Sequence, residues 1–396
     1  MINMENSKKT ICVHSDVCGG CCYQGVEYDL QLKNKEGEVR GLLEQKGLKP
    51  EVFDHIEGCP NQYGYRNKME YTFGDFEKGG ELTLGMHRKK MFMSVATVNE
   101  CQIVDDDFNI ILQATLDFCN DLGYKHYNKR SHDGLLRHLI IRRGVRTKQL
   151  LINIVTQSDE KAGVRFDSNA YADFLLGLEL DNKIVGILRT ENNSVADAVI
   201  PEKITTVYGN DYYVERLLGL NFKVSAFSFF QTNVEAVERL YTEALNLVDS
   251  FEGKNVFDLY CGTGTISQVL ALKAKHVLGI EIVEEAVKAA EQNAKINGLG
   301  NVDFIAGDVF DVLKNVEEKP DVIVVDPPRA GIQPKALDKI ISYGVKEIVY
   351  ISCNPKTLVD NLYYLEYNGY KLKYLKPFDN FPFTKHTECI ALVRKE

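Results

Sequence analysis

The stretch Asn255-Val-Phe-Asp-Leu-Tyr-Cys-Gly-Thr-Gly-Thr265 decides the fold: an apolar strand, Asn255 to Tyr260, runs into a glycine turn that opens the helix Ile266 to Lys273. Glycines at such a turn let the backbone approach a ligand at the carboxyl end of a sheet. A dinucleotide site asks for a third small residue to seat the helix beneath a pyrophosphate, and Gly262-x-Gly264 is followed by Ser267 instead. A nucleoside ligand without phosphate needs only this shorter turn.

Outward from this loop the pattern alternates regularly. The helix Glu235 to Val248 precedes it, and the strand Val277 to Ile282, the helix Glu284 to Asn297 and the strands Val302 to Ile305, Asp321 to Val325 and Glu347 to Ser352 follow. Helices near Lys335 to Ser342 and Thr357 to Asn368 and the strands Tyr370 to Pro377 and Cys389 to Val393 complete it. Strands alternating with helices of this length read as a doubly wound α/β sheet. The first half is less regular, with strand-like runs Lys68 to Phe73, Leu82 to Met86, Met91 to Val98 and Leu150 to Thr156. It also holds helices Tyr28 to Lys46 and Asn109 to Asp121, each ended by a glycine, as in an α+β domain. The predicted division is 1–105, 106–232 and 233–396, with the principal cut between 225 and 235. No internal repeat or low-complexity segment appears.

With 396 residues and 44% hydrophobic content, the chain carries enough apolar surface for two or three cores. The polar start, Met1 to Thr10, and the lack of any apolar run near the roughly 20 residues of a membrane span point to a cytoplasmic protein. Ten cysteines in such a chain read as metal ligands, catalytic thiols and buried thiols. A net charge of −9 disfavours a nucleic-acid partner unless the cations are gathered locally. One window, Arg137, His138, Arg142, Arg143, Arg146 and Lys148, contains no acid. It is either a solvated strand face or a phosphate-tracking surface.

Acids and a thiol stand where the strands end. Glu281 closes Val277 to Ile282, where a carboxylate can hold ribose hydroxyls, and Asp308 follows the third strand within reach of an adenine amine. Either would otherwise be a solvated loop acid. Asp326-Pro-Pro-Arg329 leaves its strand extended, because proline excludes a helical residue before it. Amine-methylating enzymes place an aromatic ring at the fourth position of a related motif; Arg329 there points away from exocyclic amines. One strand further on, Ile348-Val-Tyr-Ile-Ser-Cys353 stops at Asn354-Pro355. Cys353 is either a buried structural cysteine or a nucleophile. Carbon 5 of uracil is a poor nucleophile until a thiolate adds at carbon 6, and a base must later remove the carbon 5 proton. Glu388 in His386-Thr-Glu388 is a candidate for that base, with His386 beside it.

Taken in order, Phe229-Phe-Gln-Thr-Asn233, Phe257 to Thr265, Gly279-Ile-Glu281, Asp326-Pro-Pro-Arg329, Ser352-Cys-Asn-Pro355 and His386-Thr-Glu388 resemble the uracil-5 RNA methyltransferase family. That family acts on 23S ribosomal RNA and on the T-loop of tRNA. The resemblance implies a C-terminal Rossmann-like S-adenosylmethionine-binding sheet behind an α+β domain with a cysteine cluster. It makes Gln231, Tyr260, Thr265, Glu281, Asp308 and Asp326 cofactor or active-site contacts, Cys353 the nucleophile and Glu388 the base. Cys12, Cys18, Cys21 and Cys101 resemble the ribosomal branch, whose members bind a [4Fe-4S] cluster. Four thiolates also suit zinc, and Cys22 and Cys59 are alternative ligands. Methyl transfer moves no net electrons, so such a cluster is expected to be structural or RNA-positioning. Many relatives begin with a small β-barrel RNA-binding domain, whereas here the cysteine motif begins at Cys12, so RNA affinity is expected from the central domain and catalytic face. The expected protein is a monomeric ribosomal RNA uracil-5 methyltransferase. The alternatives are a tRNA enzyme, an amine methyltransferase, and a catalytically silent RNA-binding or ribosome-assembly factor.

Overall fold

A computed structural model of the protein describes residues 11–196 and 198–396. The polar segment Met1 to Thr10 lies outside the described residues. Two compact units divide the chain, and neither is one continuous segment. One comprises the residues up to Glu27, Tyr63–Arg143 and Lys148–Asp211; the other comprises Tyr28–Gln62, Gly144–Thr147 and Tyr212–Glu396.

In the first unit, a seven-stranded sheet has the order Met91–Thr97, Leu82–Arg88, Lys68–Asp75, Leu136–Gly144, Gln149–Thr156, Lys183–Glu191, Lys203–Gly209. Alternation along Lys68–Asp75 turns Met69, Tyr71 and Phe73 inward. The helix Asp106–Asp121 buries Phe108, Ile111, Leu112 and Leu116. It begins three residues before the predicted Asn109, because Asp105 caps it and Asp106 and Asp107 carry negative charge into the positive end of its dipole. Buried Asp107 also accepts bonds from the backbone N–H groups of Asp181 and Asn182.

The basic window reads differently once folded. Leu136–Gly144 is a strand buried along its whole length. Arg137 donates to the carbonyls of Asn192, Ser194 and Ala196 at 3.1, 2.6 and 2.6 Å, and Arg143 pairs with Asp105 at 2.8 Å. Arg137, His138, Arg142 and Arg143 are buried, so these four neither form a solvated face nor track phosphates, whereas Arg146, paired with Glu238 at 2.7 Å, and Lys148 are exposed.

The second unit is built on an eight-stranded sheet in the order Val52–Phe53, Tyr370–Phe378, Glu388–Lys395, Glu347–Ser352, Val322–Val325, Asn255–Leu259, His276–Glu281, Val302–Ala306. The central strands are parallel, and Glu388–Lys395 runs antiparallel between its two neighbours. From Asn255–Leu259 the chain winds outward through His276–Glu281 to Val302–Ala306, then returns to Val322–Val325 on the other side. The reversal opens a crevice at the carboxyl ends of Asn255–Leu259 and Val322–Val325, where ligands of such sheets bind.

The cuts after residues 105 and 232 fall inside these units. Helix Tyr28–Lys46 belongs with the parallel sheet: Val39 and Leu43 share a core with Phe257, Ile323, Leu362 and Leu375. The hairpin Tyr212–Leu217 and Leu220–Ser225 belongs there too, since Asn293 and Asn297 accept from the backbone of Lys223 and Asn221.

Candidate active site

The glycine loop is held by the strand beside it. Tyr260 and Cys261 both donate backbone N–H to Ile280 O, at 2.9 and 3.0 Å, and Tyr260 takes φ 67° to make the turn. Gly264, at φ 70°, starts the helix Thr265–Ala271, and a Cβ there would lie 2.7 Å from the Phe304 ring and 2.8 Å from Ala290 Cβ. Glu281 is oriented by two backbone donors, Gly262 N to Oε2 at 3.1 Å and Val283 N to Oε1 at 2.9 Å. The Ser267 that argued against a dinucleotide donates instead to the buried carboxylate of Asp258. Burial pushes the Asp258 pKa up to about 7 despite that bond. Asp308 caps the helix Val309–Asn315, accepting from Phe310 and Asp311, and its charge helps push the Tyr260 hydroxyl up to about 12, behind the larger effect of burial.

Two motifs from different strands are stitched together beyond the crevice. Asp326 donates its N–H to Leu259 O at 3.3 Å. The Arg329 carbonyl accepts from Asn354 Nδ2 at 2.8 Å and Thr357 Oγ1 at 3.3 Å. Asn354 also caps the helix Pro355–Tyr367, with proline at its first position. Cys353 therefore sits in the tight break between a strand and a capped helix. Burial pushes its thiol up to about 11, helped by the charges of Glu388 and Asp326 and opposed by Arg329. Glu388 is raised to about 7 by burial, again opposed by Arg329. Asp326 is raised further, by burial first and then by the charges of Glu388 and Asp258. This acid-rich crevice favours a cation.

Gln231 donates to Tyr241 Oη at 3.0 Å, and Thr263 Oγ1 donates to Phe229 O at 3.3 Å, tying the Phe229–Asn233 stretch to the glycine loop. Thr265 is buried at the first position of its helix. His386 lies edge-on to Phe381, with ring centroids 6.4 Å apart.

Sequence reading missed the device that leads into Glu388. Lys35 and Asp379, both fully buried, pair at 2.6 Å. Lys35 also donates to Phe381 O, and Gln31 Oε1 accepts from Phe383 N at 2.9 Å, where Phe383 takes φ 65°. The available signal was periodicity: Gln31, Lys35, Val39 and Leu43 recur every fourth residue, so two polar side chains share the buried face of an otherwise surface-like helix.

In the first unit the structure gathers Cys12, Cys18, Cys21 and Cys101. The negative charges of their thiolates act on one another, reinforcing burial in raising Cys21 to about 11 and Cys101 to about 12. Among the described residues, no three His, Cys, Asp or Glu side chains form a site for a metal ion. Cys22 is exposed, and Cys59 belongs to the other unit, where its thiol donates to Asn61 O and accepts from Asn233.

A doubly wound sheet with its last strand antiparallel, a glycine turn, an oriented acid on the next strand and an acid-rich crevice define an S-adenosylmethionine-dependent methyltransferase. The sequence model of the tRNA (uracil-5-)-methyltransferase family matches residues 27–396, and the chain belongs to that family. A Clostridium tetani protein described as an uncharacterized RNA methyltransferase is 46% identical over 96% of this chain and 82% of its own. A counterpart from Chlorobaculum tepidum, described in the same words, is 35% identical over 96% and 82%. The crystal structure of Pyrococcus abyssi tRNA (uracil-54, C5)-methyltransferase with S-adenosyl-L-homocysteine superposes with a TM-score of 0.78 at 26% identity, covering 95% of this chain and 86% of that one. The protein is thus an RNA (uracil-5-)-methyltransferase, which excludes the dinucleotide and amine-methylating readings.

Proposed function

We propose that the protein methylates carbon 5 of a uridine in 23S ribosomal RNA, with Cys353 as covalent nucleophile and Glu388 as the base. The observation that carries this reading is the meeting of a thiol and an acid from neighbouring antiparallel strands beside the cofactor crevice. The Cys353 thiolate adds to uracil C6, forming a C–S bond and moving the C5–C6 π electrons into an enolate. S-adenosylmethionine, when bound, supplies the electrophilic methyl group for C5. Glu388 then takes the C5 proton; the C–H electrons restore the double bond and expel the thiolate. Arg329 opposes the rise in both pKa values and favours the ionised forms.

For the cofactor, the oriented carboxylate of Glu281 suits ribose hydroxyls, and Asp308 suits the adenine amine with the lone pairs its capping role leaves. Tyr260 and Thr265 line the glycine turn, Gln231 closes the site, and Asp326 faces the sulfonium charge. Calorimetry tests the ribose assignment: Glu281→Ala should weaken cofactor binding by about 10- to 100-fold, the worth of one or two charged hydrogen bonds.

Cys12, Cys18, Cys21 and Cys101 are assigned to a [4Fe-4S] cluster. Backbone N–H groups of Gly20 and Ile103 point at the sulfurs of Cys18 and Cys101, which suits thiolates. The fully buried Tyr71 hydroxyl, electrostatically within reach of Cys101 and Cys18, has no hydrogen-bond partner among the described residues and offers a donor to the same group. The cluster would supply four-point cross-linking of the cysteine loop to Cys101. Iron and acid-labile sulfide in anaerobically purified protein test this; stoichiometric zinc without iron would refute it.

The cysteine set favours the ribosomal substrate. A tRNA substrate is the second reading, favoured by the likeness to the P. abyssi tRNA enzyme. Mapping 5-methyluridine in ribosomal and transfer RNA of a deletion strain separates them.

A further inference from the structure

We infer that the hairpin tip around Lys90 and Phe92, with the loop at Lys129 and Arg130, is a docking surface for unpaired RNA. This rests on the RNA substrate of the family and adds where that RNA is held. The chain carries a net charge of −9, so an RNA must be met at a local patch of opposite sign. The buried Arg137, His138, Arg142 and Arg143 are not that patch.

Two acid-free segments supply one. Residues 82–99 contain His87, Arg88, Lys89 and Lys90 and no acid, and residues 122–132 contain Lys125, Lys129 and Arg130 and no acid. Folding brings them together, with Lys129 Nζ 4.7 Å from the centre of the Phe92 ring. Phe92 is 64% exposed, with Met91 and Met93 each 49% exposed beside it. His87 stacks on Phe92 with ring centroids 5.0 Å apart and planes 17° apart, and Arg88 lies 3.9 Å over Phe76. An exposed aromatic stack bordered by cations is the arrangement that holds unpaired bases by their faces and their backbone by its phosphates. A purely structural hairpin tip gains nothing from three consecutive exposed apolar side chains.

The tip is also braced. Gly19 N donates to His87 O at 3.1 Å and Lys89 N to Val17 O at 2.9 Å, so the loop that carries Cys18 is knit to the hairpin. Lys89 itself is engaged with Ser15 O, and Lys90, Arg130 and, beside the Phe92 ring, Lys129 are assigned as the phosphate contacts.

The test uses the full-length protein and a fluorescein-labelled, unstructured RNA of about 20 nucleotides, titrated at several salt concentrations. The triple variant Lys90→Gln, Lys129→Gln, Arg130→Gln should bind more weakly and lose about 2 from the slope of log affinity against log salt. Phe92→Ala should lose about 5- to 150-fold in affinity with its salt slope unchanged, and Phe92→Tyr should restore binding. S-adenosylmethionine affinity should be unchanged in all three. Wild-type affinity and slope in both the triple variant and Phe92→Ala would overturn the proposal and assign the tip to another partner. A wild-type protein that bound neither this RNA nor ribosomal RNA would instead overturn the RNA reading on which the proposal rests.

Discussion

Cys353 lies across from Glu388. Ser352 pairs with Cys389 in the antiparallel register of their strands, and one step further that register sets the thiol opposite the carboxylate. The relationship is also electrostatic: the Glu388 charge is, after burial, the largest influence raising the Cys353 thiol. A strand pair thus delivers, from 35 residues apart in sequence, the two groups that the proposed addition and elimination need.

Cys353→Ala should bind cofactor and RNA and form no covalent complex, with no methyl transfer. With RNA containing 5-fluorouridine, wild type should give a complex that survives denaturation on a gel. An adduct in the alanine variant would move the nucleophile elsewhere.

Glu388→Gln should still add and methylate but stall before elimination, accumulating a protein–RNA adduct. Turnover should fall by about 10²- to 10⁴-fold, the usual worth of a positioned base. Normal turnover without adduct would point to His386 or a water held by Asp326.

A base must be deprotonated to act, so with Glu388 raised to about 7 the rate of elimination should climb with pH through that value. Arg329 lowers the Glu388 pKa, so Arg329→Gln should move the inflection to higher pH. An inflection that stayed in place would separate Arg329 from Glu388.

Gly279→Ala would set a Cβ 2.6 Å from the Phe304 ring and 2.9 Å from Cys261 Sγ. Overpacking of this kind costs about 1–3 kcal/mol. Urea unfolding should show that loss, and adding Phe304→Leu should recover part of it; an additive pair would mean that the ring is not what the methyl meets.

Lys35→Met should leave the buried carboxylate of Asp379 without its cation, at a cost of about 3–5 kcal/mol. Lys35→Met with Asp379→Leu should recover much of the stability. If the loop leading to Glu388 depends on this pair, the double variant should remain slow in turnover while binding cofactor normally.

What the sequence determined by itself is local in origin. The alternation of strand and helix after residue 233, the glycine turn at 262–264, the ends of Tyr28–Lys46 and Glu347–Ser352, and the order of the motifs follow from periodicity and from what glycine and proline permit a few residues away. Family resemblance carried those motifs further, to a uracil-5 methyltransferase.

Tertiary structure decided what depends on distant partners. Arg137 and Arg143 looked like surface cations, because nothing nearby in sequence reveals that carbonyls of 192–196 and Asp105 await them. Helix Tyr28–Lys46 could be drawn to the residue, yet its place against the parallel sheet rests on Val39 and Leu43 meeting side chains more than 200 positions away. The pairing of Cys353 with Glu388, the clasp of Lys35 on Asp379 and the meeting of Lys129 with Phe92 have the same character. Burial and strand register are properties of the assembled chain, and they turn residue types that are individually ambiguous into sites.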